Sequence, residues 1–273
     1  MWRWLTRSLH ELDREAAAAP SPTSATLPAA EIGRARQVLI VAAVVLALAY
    51  GFGDRPFFES ALALRVRILL GRPHAAWFDS HRDLLSYTYW ALCLLLCYAV
   101  LPALHLRRLG IRLRDAGLRW PRAEGLPFRH VYLLFFLLLF PVLFVLSRSA
   151  SFQQIYPFYR DAARSLPELI FWELLYASTF FAVEFFFRGY LLFALLRPLG
   201  SVAVFVSALP YCLIHMGKPA PELLGSIVAG ILLGTLALRS RSILGGVGLH
   251  VAVALSMDLL SLWQAGRLAA LLR

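Results

Sequence analysis

Apolar positions along this chain come in blocks, not in the stripes of an amphipathic helix or the alternation of a half-buried strand. The blocks lie at about 37–53, 86–104, 130–147, 168–196, 200–216, 222–238 and 243–263. Each is about the length a helix needs to cross a bilayer, roughly 18 or more mostly apolar residues. The pattern predicts an all-α, polytopic transmembrane helix bundle of about seven spans, between six and eight. A weaker apolar stretch at 58–70 carries Arg65 and Arg67 and reads as interfacial or loop-buried.

Polar segments separate the blocks. Residues 1–36 form an extramembrane N-terminal segment: 2–19 have the pattern of an amphipathic helix on the membrane surface, and "PSPTSATLP" reads as a linker. The first span is expected after Arg36, with loops at 54–84 and 148–167. Segment 107–129 holds seven Arg against Asp115 and Glu124, which marks it as cytoplasmic by the positive-inside rule. Four apolar segments then follow with only short breaks. The resulting division is an N-terminal segment 1–36, N-terminal spans and loops 37–167, a helix core 168–263 and a tail 264–273.

Composition agrees. Hydrophobic residues make up 60% of the chain and charged residues 16%, against about a quarter charged in soluble domains. The net charge of +11 comes from Arg beside the spans, with Lys218 the only lysine. It suits anionic lipid rather than nucleic acid, because no basic stripe lies on a soluble domain. Cys93, Cys97 and Cys212 fall inside spans as small apolar residues. The lipid bilayer is therefore the first partner, and no cleavable signal peptide precedes the spans.

Intramembrane charge is concentrated in the C-terminal block. Glu184 and Arg188 are four residues apart, on one helix face, and can pair. A charge at the bilayer centre costs at least ~2.5–3.5 kcal/mol, so the pair is either a packing clamp or a site. Glu173, eleven residues earlier, faces the same way and reads as a solvated acid at the helix start. His215 closes "YCLIH", and His250 lies mid-span behind Gly245, Gly246 and Gly248, which permit close helix approach. Glu222 opens a helix after proline, and Asp258 reads as an interfacial carboxylate near the end of the last span.

The simplest packing brings Glu184, His215 and His250 together. These three can bind a divalent metal such as zinc. They can equally activate water with no metal: a buried carboxylate is a competent base, and neutral imidazole donates to an oxyanion. Either route hydrolyses an amide. Neither HExxH nor GxSxG occurs, and Ser178, Ser207, Ser226 and Ser256 have no base beside them on their own helices.

The order of these motifs resembles the CPBP family, the CAAX-processing and bacteriocin-processing intramembrane proteases, also called ABI. Its motifs are EExxxR, FxxxH, and HxxxN or HxxxD. "VEFFFRG" resembles the first through Glu184 and Arg188, "YCLIH" the second through Tyr211 and His215, and "HVAVA" the third through His250. The resemblance covers about 168–263 and implies a protease acting on a membrane-associated protein or peptide from a multi-pass position in the cell (inner) membrane. In the family the first acid of EExxxR is the proposed water activator; that position here is Val183, so Glu184, with His215, must take the role, while the resemblance gives oxyanion, water or metal contacts to His250 and orientation of Glu184 to Arg188. Members have been described both as metalloproteases and as glutamate proteases. Two positions depart. Val183 stands where the first acid is expected, and Ala254 where the Asn or Asp is. Asp258 or Glu222 are the second-rank replacements. The departures suggest a divergent branch, of the kind thought to process C-terminal sorting tails of bacterial surface proteins. Two rivals stay open: a catalytically inactive scaffold or immunity protein of the same fold, and a small transporter that uses Glu184 and the histidines as a relay.

Overall fold

A computed structural model describes residues 2–18, 29–121 and 128–271. The helices are α1 (Trp2–Ala18), α2 (Ala29–Phe52), α3 (Ala63–Leu70), α4 (Arg72–Arg108), α5 (Phe128–Leu146), α6 (Ala150–Ile155), α7 (Leu166–Leu199), α8 (Val202–Leu213), α9 (Ala220–Ser240), α10 (Leu244–Gln264) and α11 (Arg267–Leu271). No strand occurs among the described residues. Among the described residues, five helices, α2, α4, α7, α9 and α10, are long and apolar enough to cross a membrane, while the apolar helices His130–Leu146 and Val202–Leu213 are shorter. These coincide with the seven apolar blocks of the sequence. The protein is an all-α, multi-pass membrane protein.

The described residues cluster into two compact units, one from segments 1–44, 100–132 and 183–248, the other from 45–99, 133–182 and 249–273.

In the first unit, α8 and α9 run antiparallel against each other. A Cβ on Gly230 would lie 3.0 Å from the Ala208 side chain, and one on Gly234 would lie 3.3 Å from Val204. Small residues are what lets membrane helices approach, since lipid provides no hydrophobic drive between them. Helix α1 is helical and amphipathic as expected, and its apolar face packs on the protein. Leu5, Ser8 and Leu12, spaced one turn apart, are buried. Glu11 meets Arg239 at 2.5 Å, and Asp13 accepts from the Ser201 amide at 2.7 Å and its hydroxyl at 3.0 Å. The amphipathic face that suggested lipid packs on α9 and the end of α7. Helix α2 starts before Arg36 because Ala and Arg continue a helix readily and Glu31 pairs with Arg197 at 2.7 Å. The "PSPTSATLP" linker and part of the Arg-rich segment lie outside the described residues.

In the second unit, the expected loop at 54–84 is helical. Asp54 accepts from the Phe57 amide at 2.8 Å and caps a short helix containing Pro56. Helix α3 then ends at Gly71, whose positive φ of 74° turns the chain into α4. The charges that argued for a loop are paired across this hairpin: Arg82 with Glu59 at 2.5 Å, Arg67 with Asp79 at 2.8 Å, and Arg55 with Asp83. The loop at 148–167 likewise contains α6, capped by Ser149, and a 3-10 turn at Ala162–Arg164. Its aromatic residues Tyr156 and Tyr159 are buried. Helices α7 and α10 run antiparallel, with Trp172 against Asp258, Tyr176 and Ala254 in one core cluster, and Phe180 against His250.

Candidate active site

Helix α7 carries the Glu–Arg motif, and 72% of its most apolar window is buried inside the protein. Directly after Glu184 the helix widens into π-helix over Phe185–Leu192. Wider turns of this kind recur at functional sites. Arg188 sits inside the widened segment and still reaches back, its Nη1 lying 3.0 Å from Glu184 Oε1. Both side chains are about 1% exposed. Ion pairing with additional contacts is what makes two such charges tolerable away from water.

Each member of the pair has a built environment. The Arg188 guanidinium lies over the Tyr211 ring, 3.9 Å from its centroid, a cation–π contact that gains strength where water is excluded. Tyr211 also meets Phe187 edge-on, with centroids 5.4 Å apart. On the other side, Glu184 faces the first turn of α10. A Cβ on Gly246 would lie 2.8 Å from Glu184 Oε2, so only glycine admits the carboxylate there without a shift.

Tyr211 links the pair to His215. The two rings have centroids 4.7 Å apart, and His215 Nδ1 lies 2.7 Å from the Tyr211 carbonyl oxygen. A carbonyl only accepts, so Nδ1 carries the proton and the lone pair of the neutral ring is on Nε2. Glu184, Arg188, Tyr211 and His215 thus form one connected group on α7 and the end of α8. Glu222, in the first turn of α9, forms an ion pair with Lys218 at 3.3 Å.

The other acids and His250 lie in the second unit. His250 packs on Phe180, with centroids 4.7 Å apart. Asp258 is fully buried, and Trp172 Nε1 donates to its Oδ2 at 2.8 Å. Glu173 is not a solvated acid either. Both its carboxylate oxygens are buried and make no hydrogen bond among the described residues. Ala254, where the motif resemblance expects Asn or Asp, is buried in a cluster with Trp172 and Tyr176.

Among the described residues, no three His, Cys, Asp or Glu side chains gather as a set able to hold a metal ion. The guanidinium of Arg188 against Glu184 is also an unfavourable neighbour for a divalent cation. One residue of this region escaped the sequence reading. Tyr132, at the start of α5, is 7% exposed and packs its ring on Gly245. Nothing in its apolar surroundings in sequence sets it apart. The one hint was the run Gly245, Gly246 and Gly248, read as room for a neighbouring helix without saying which side chain fills it.

Residues 165–256 match the family model described as "Type II CAAX prenyl endopeptidase Rce1-like", a match that begins one residue before α7 and ends within α10. This bears out the CPBP resemblance read from the motifs, over nearly the same residues. No curated protein and no solved structure matches the chain.

Proposed function

We propose that the protein is an intramembrane endopeptidase of the cell membrane that hydrolyses a peptide bond of a membrane-associated protein or peptide, with Glu184 as the base and without a metal. The observation that carries this reading is the buried Glu184–Arg188 pair, which lies within the matched segment and is connected through Tyr211 to His215.

The chemistry follows from these groups. Arg188 fixes Glu184 by one oxygen, at 3.0 Å. Glu184 takes a proton from a water, whose oxygen attacks the scissile carbonyl carbon. The Nε2 lone pair of His215 accepts a hydrogen bond from the same water and orients it. The carbonyl oxygen gains negative charge as the new C–O bond forms. When the C–N bond breaks, Glu184 returns its proton to the leaving nitrogen, and the products are a carboxylic acid and an amine. General base catalysis of this kind is worth ~10²–10⁴-fold. Substrates in which a C-terminal sorting tail is removed near the membrane fit the site's position on a bilayer-crossing helix.

The test is cleavage of an internally quenched, prenylated CAAX peptide and of a peptide carrying a hydrophobic sorting tail, by purified protein in liposomes with and without EDTA. The proposal expects cleavage of at least one peptide, unchanged by EDTA and abolished in Glu184→Gln. Loss of activity in EDTA with recovery on adding zinc would replace the metal-free mechanism with a metal-dependent one. Val183 in place of the family's first acid favours one rival, a non-catalytic protein of the same fold. That rival predicts no cleavage of any membrane protein.

A further inference from the structure

We infer that Tyr132 is a catalytic residue of this site, whose phenol O–H donates to the oxygen of the scissile carbonyl as charge develops on it. The inference rests on the proposed hydrolytic reading and adds to it a donor that none of the sequence motifs contains.

Three observations converge on it. The first is space. A Cβ on Gly245 would lie 2.1 Å from Tyr132 Cε2 and 2.6 Å from Cζ, so the first turn of α10 accommodates the ring only because residue 245 is glycine. The next residue, Gly246, makes the corresponding room for the Glu184 carboxylate. Two adjacent glycines therefore bring a phenol and a carboxylate against the same helical turn, and Tyr132 lies within electrostatic reach of both Glu184 and Arg188.

The second is an unanswered donor. The Tyr132 hydroxyl oxygen is buried and makes no hydrogen bond of normal length and angle among the described residues, with the Ser240 hydroxyl close enough to interact with it. The neighbouring Ser240 hydroxyl is directed at the Leu236 carbonyl, 2.8 Å away. Other phenols in the protein are satisfied: Tyr190 donates to the Val38 carbonyl at 3.3 Å, Tyr87 to the Phe158 carbonyl and Tyr159 to Glu168. A buried phenol normally finds a partner, and leaving it without one costs ~1–3 kcal/mol. That cost is recovered when an acceptor arrives.

The third is chemistry. A phenol is neutral at physiological pH, so its role toward an incoming amide is to donate. The carbonyl oxygen is one bond from the carbon that the Glu184-activated water attacks. A donor held beside Glu184 is therefore placed for that oxygen. In a site without bulk water, such a donor is worth ~10²–10³ in turnover.

Tyr132→Phe tests this, because phenylalanine keeps the ring that fills the space over Gly245 and removes only the hydroxyl. Purified full-length wild type, Tyr132→Phe and Glu184→Gln are each added to detergent-solubilised membranes from cells lacking the protein. New protein termini are followed in time by mass spectrometry, at limiting and at saturating membrane concentrations. The inference expects wild type to generate new termini, and Tyr132→Phe to generate the same ones at a saturated rate lower by ~10²–10³-fold. It also expects an unchanged half-saturating concentration and no fall in the thermal midpoint. Equal saturated rates would overturn the role of Tyr132 and leave the protease reading intact. A rate loss that tracks a lowered thermal midpoint would make Tyr132 structural and also overturn it. No new termini with wild type would remove the protease reading, and this inference with it.

Discussion

Two of the acids on helix α7, Glu173 and Glu184, lie eleven residues apart, and the structure treats them in opposite ways. Glu184 is held by Arg188 at 3.0 Å, beneath an arginine that stacks on Tyr211, and a glycine leaves room for its second oxygen. Glu173 has both oxygens buried without a hydrogen bond among the described residues, and its neighbour Trp172 donates to Asp258 instead. In an apolar setting, burial alone does not mark a working carboxylate. What marks one is a set of groups that hold it in place and leave room for a reactant.

That contrast can be broken experimentally, and the largest expected effect is at Arg188. Arg188→Ala leaves a buried carboxylate unpaired and is expected to cost ~3–5 kcal/mol of stability. It should lower the thermal midpoint of the detergent-solubilised protein sharply and abolish cleavage. An Arg188→Ala protein as stable as wild type would mean the pair is not what holds Glu184. The next effect is at Gly246. Gly246→Ala brings a methyl to 2.8 Å from Glu184 Oε2. The displaced carboxylate should lose on the order of 10–100-fold in turnover. Gly248→Ala, where a Cβ meets nothing within 4 Å, should leave turnover unchanged. Equal rates for the two alanine variants would show that the close approach to Glu184 is incidental. The smallest effect on activity is at Glu173. Glu173→Leu removes an unsatisfied buried acid and should leave cleavage at the wild-type rate while raising the thermal midpoint, a gain of ~1–3 kcal/mol. Loss of cleavage in Glu173→Leu would place the second acid in the chemistry and erase the distinction.

Much of this was legible in the sequence, and particular residues show why. The spans could be read because apolar block length is set directly by bilayer thickness. The Glu184–Arg188 pair could be read because four-residue spacing is a local rule. Features set by distant partners could not. The charges at 54–84 read as a loop because their partners lie beyond the reach of local rules, Asp79 twelve residues from Arg67 and Arg82 twenty-three from Glu59, and only the folded hairpin pairs them. The packing of α1 on α9 could not be read because an apolar helix face looks the same whether it meets lipid or protein. The burial of Asp258 could not be read because its donor, Trp172, is 86 residues upstream. The π-helical turns after Glu184 leave no trace in hydrophobic periodicity, since every residue from Phe185 to Leu192 is buried. Tyr132 is one aromatic among many in an apolar segment, and only the fold sets it over Gly245.

The central claim is that Glu184 is the base of a peptide-bond hydrolysis. It is tested most directly by comparing the termini of membrane and surface proteins, by mass spectrometry, in cells lacking the protein, cells complemented with wild type and cells complemented with Glu184→Gln at equal level. The account predicts at least one protein cut only in the wild-type cells. A protein cut equally in the Glu184→Gln cells would contradict it.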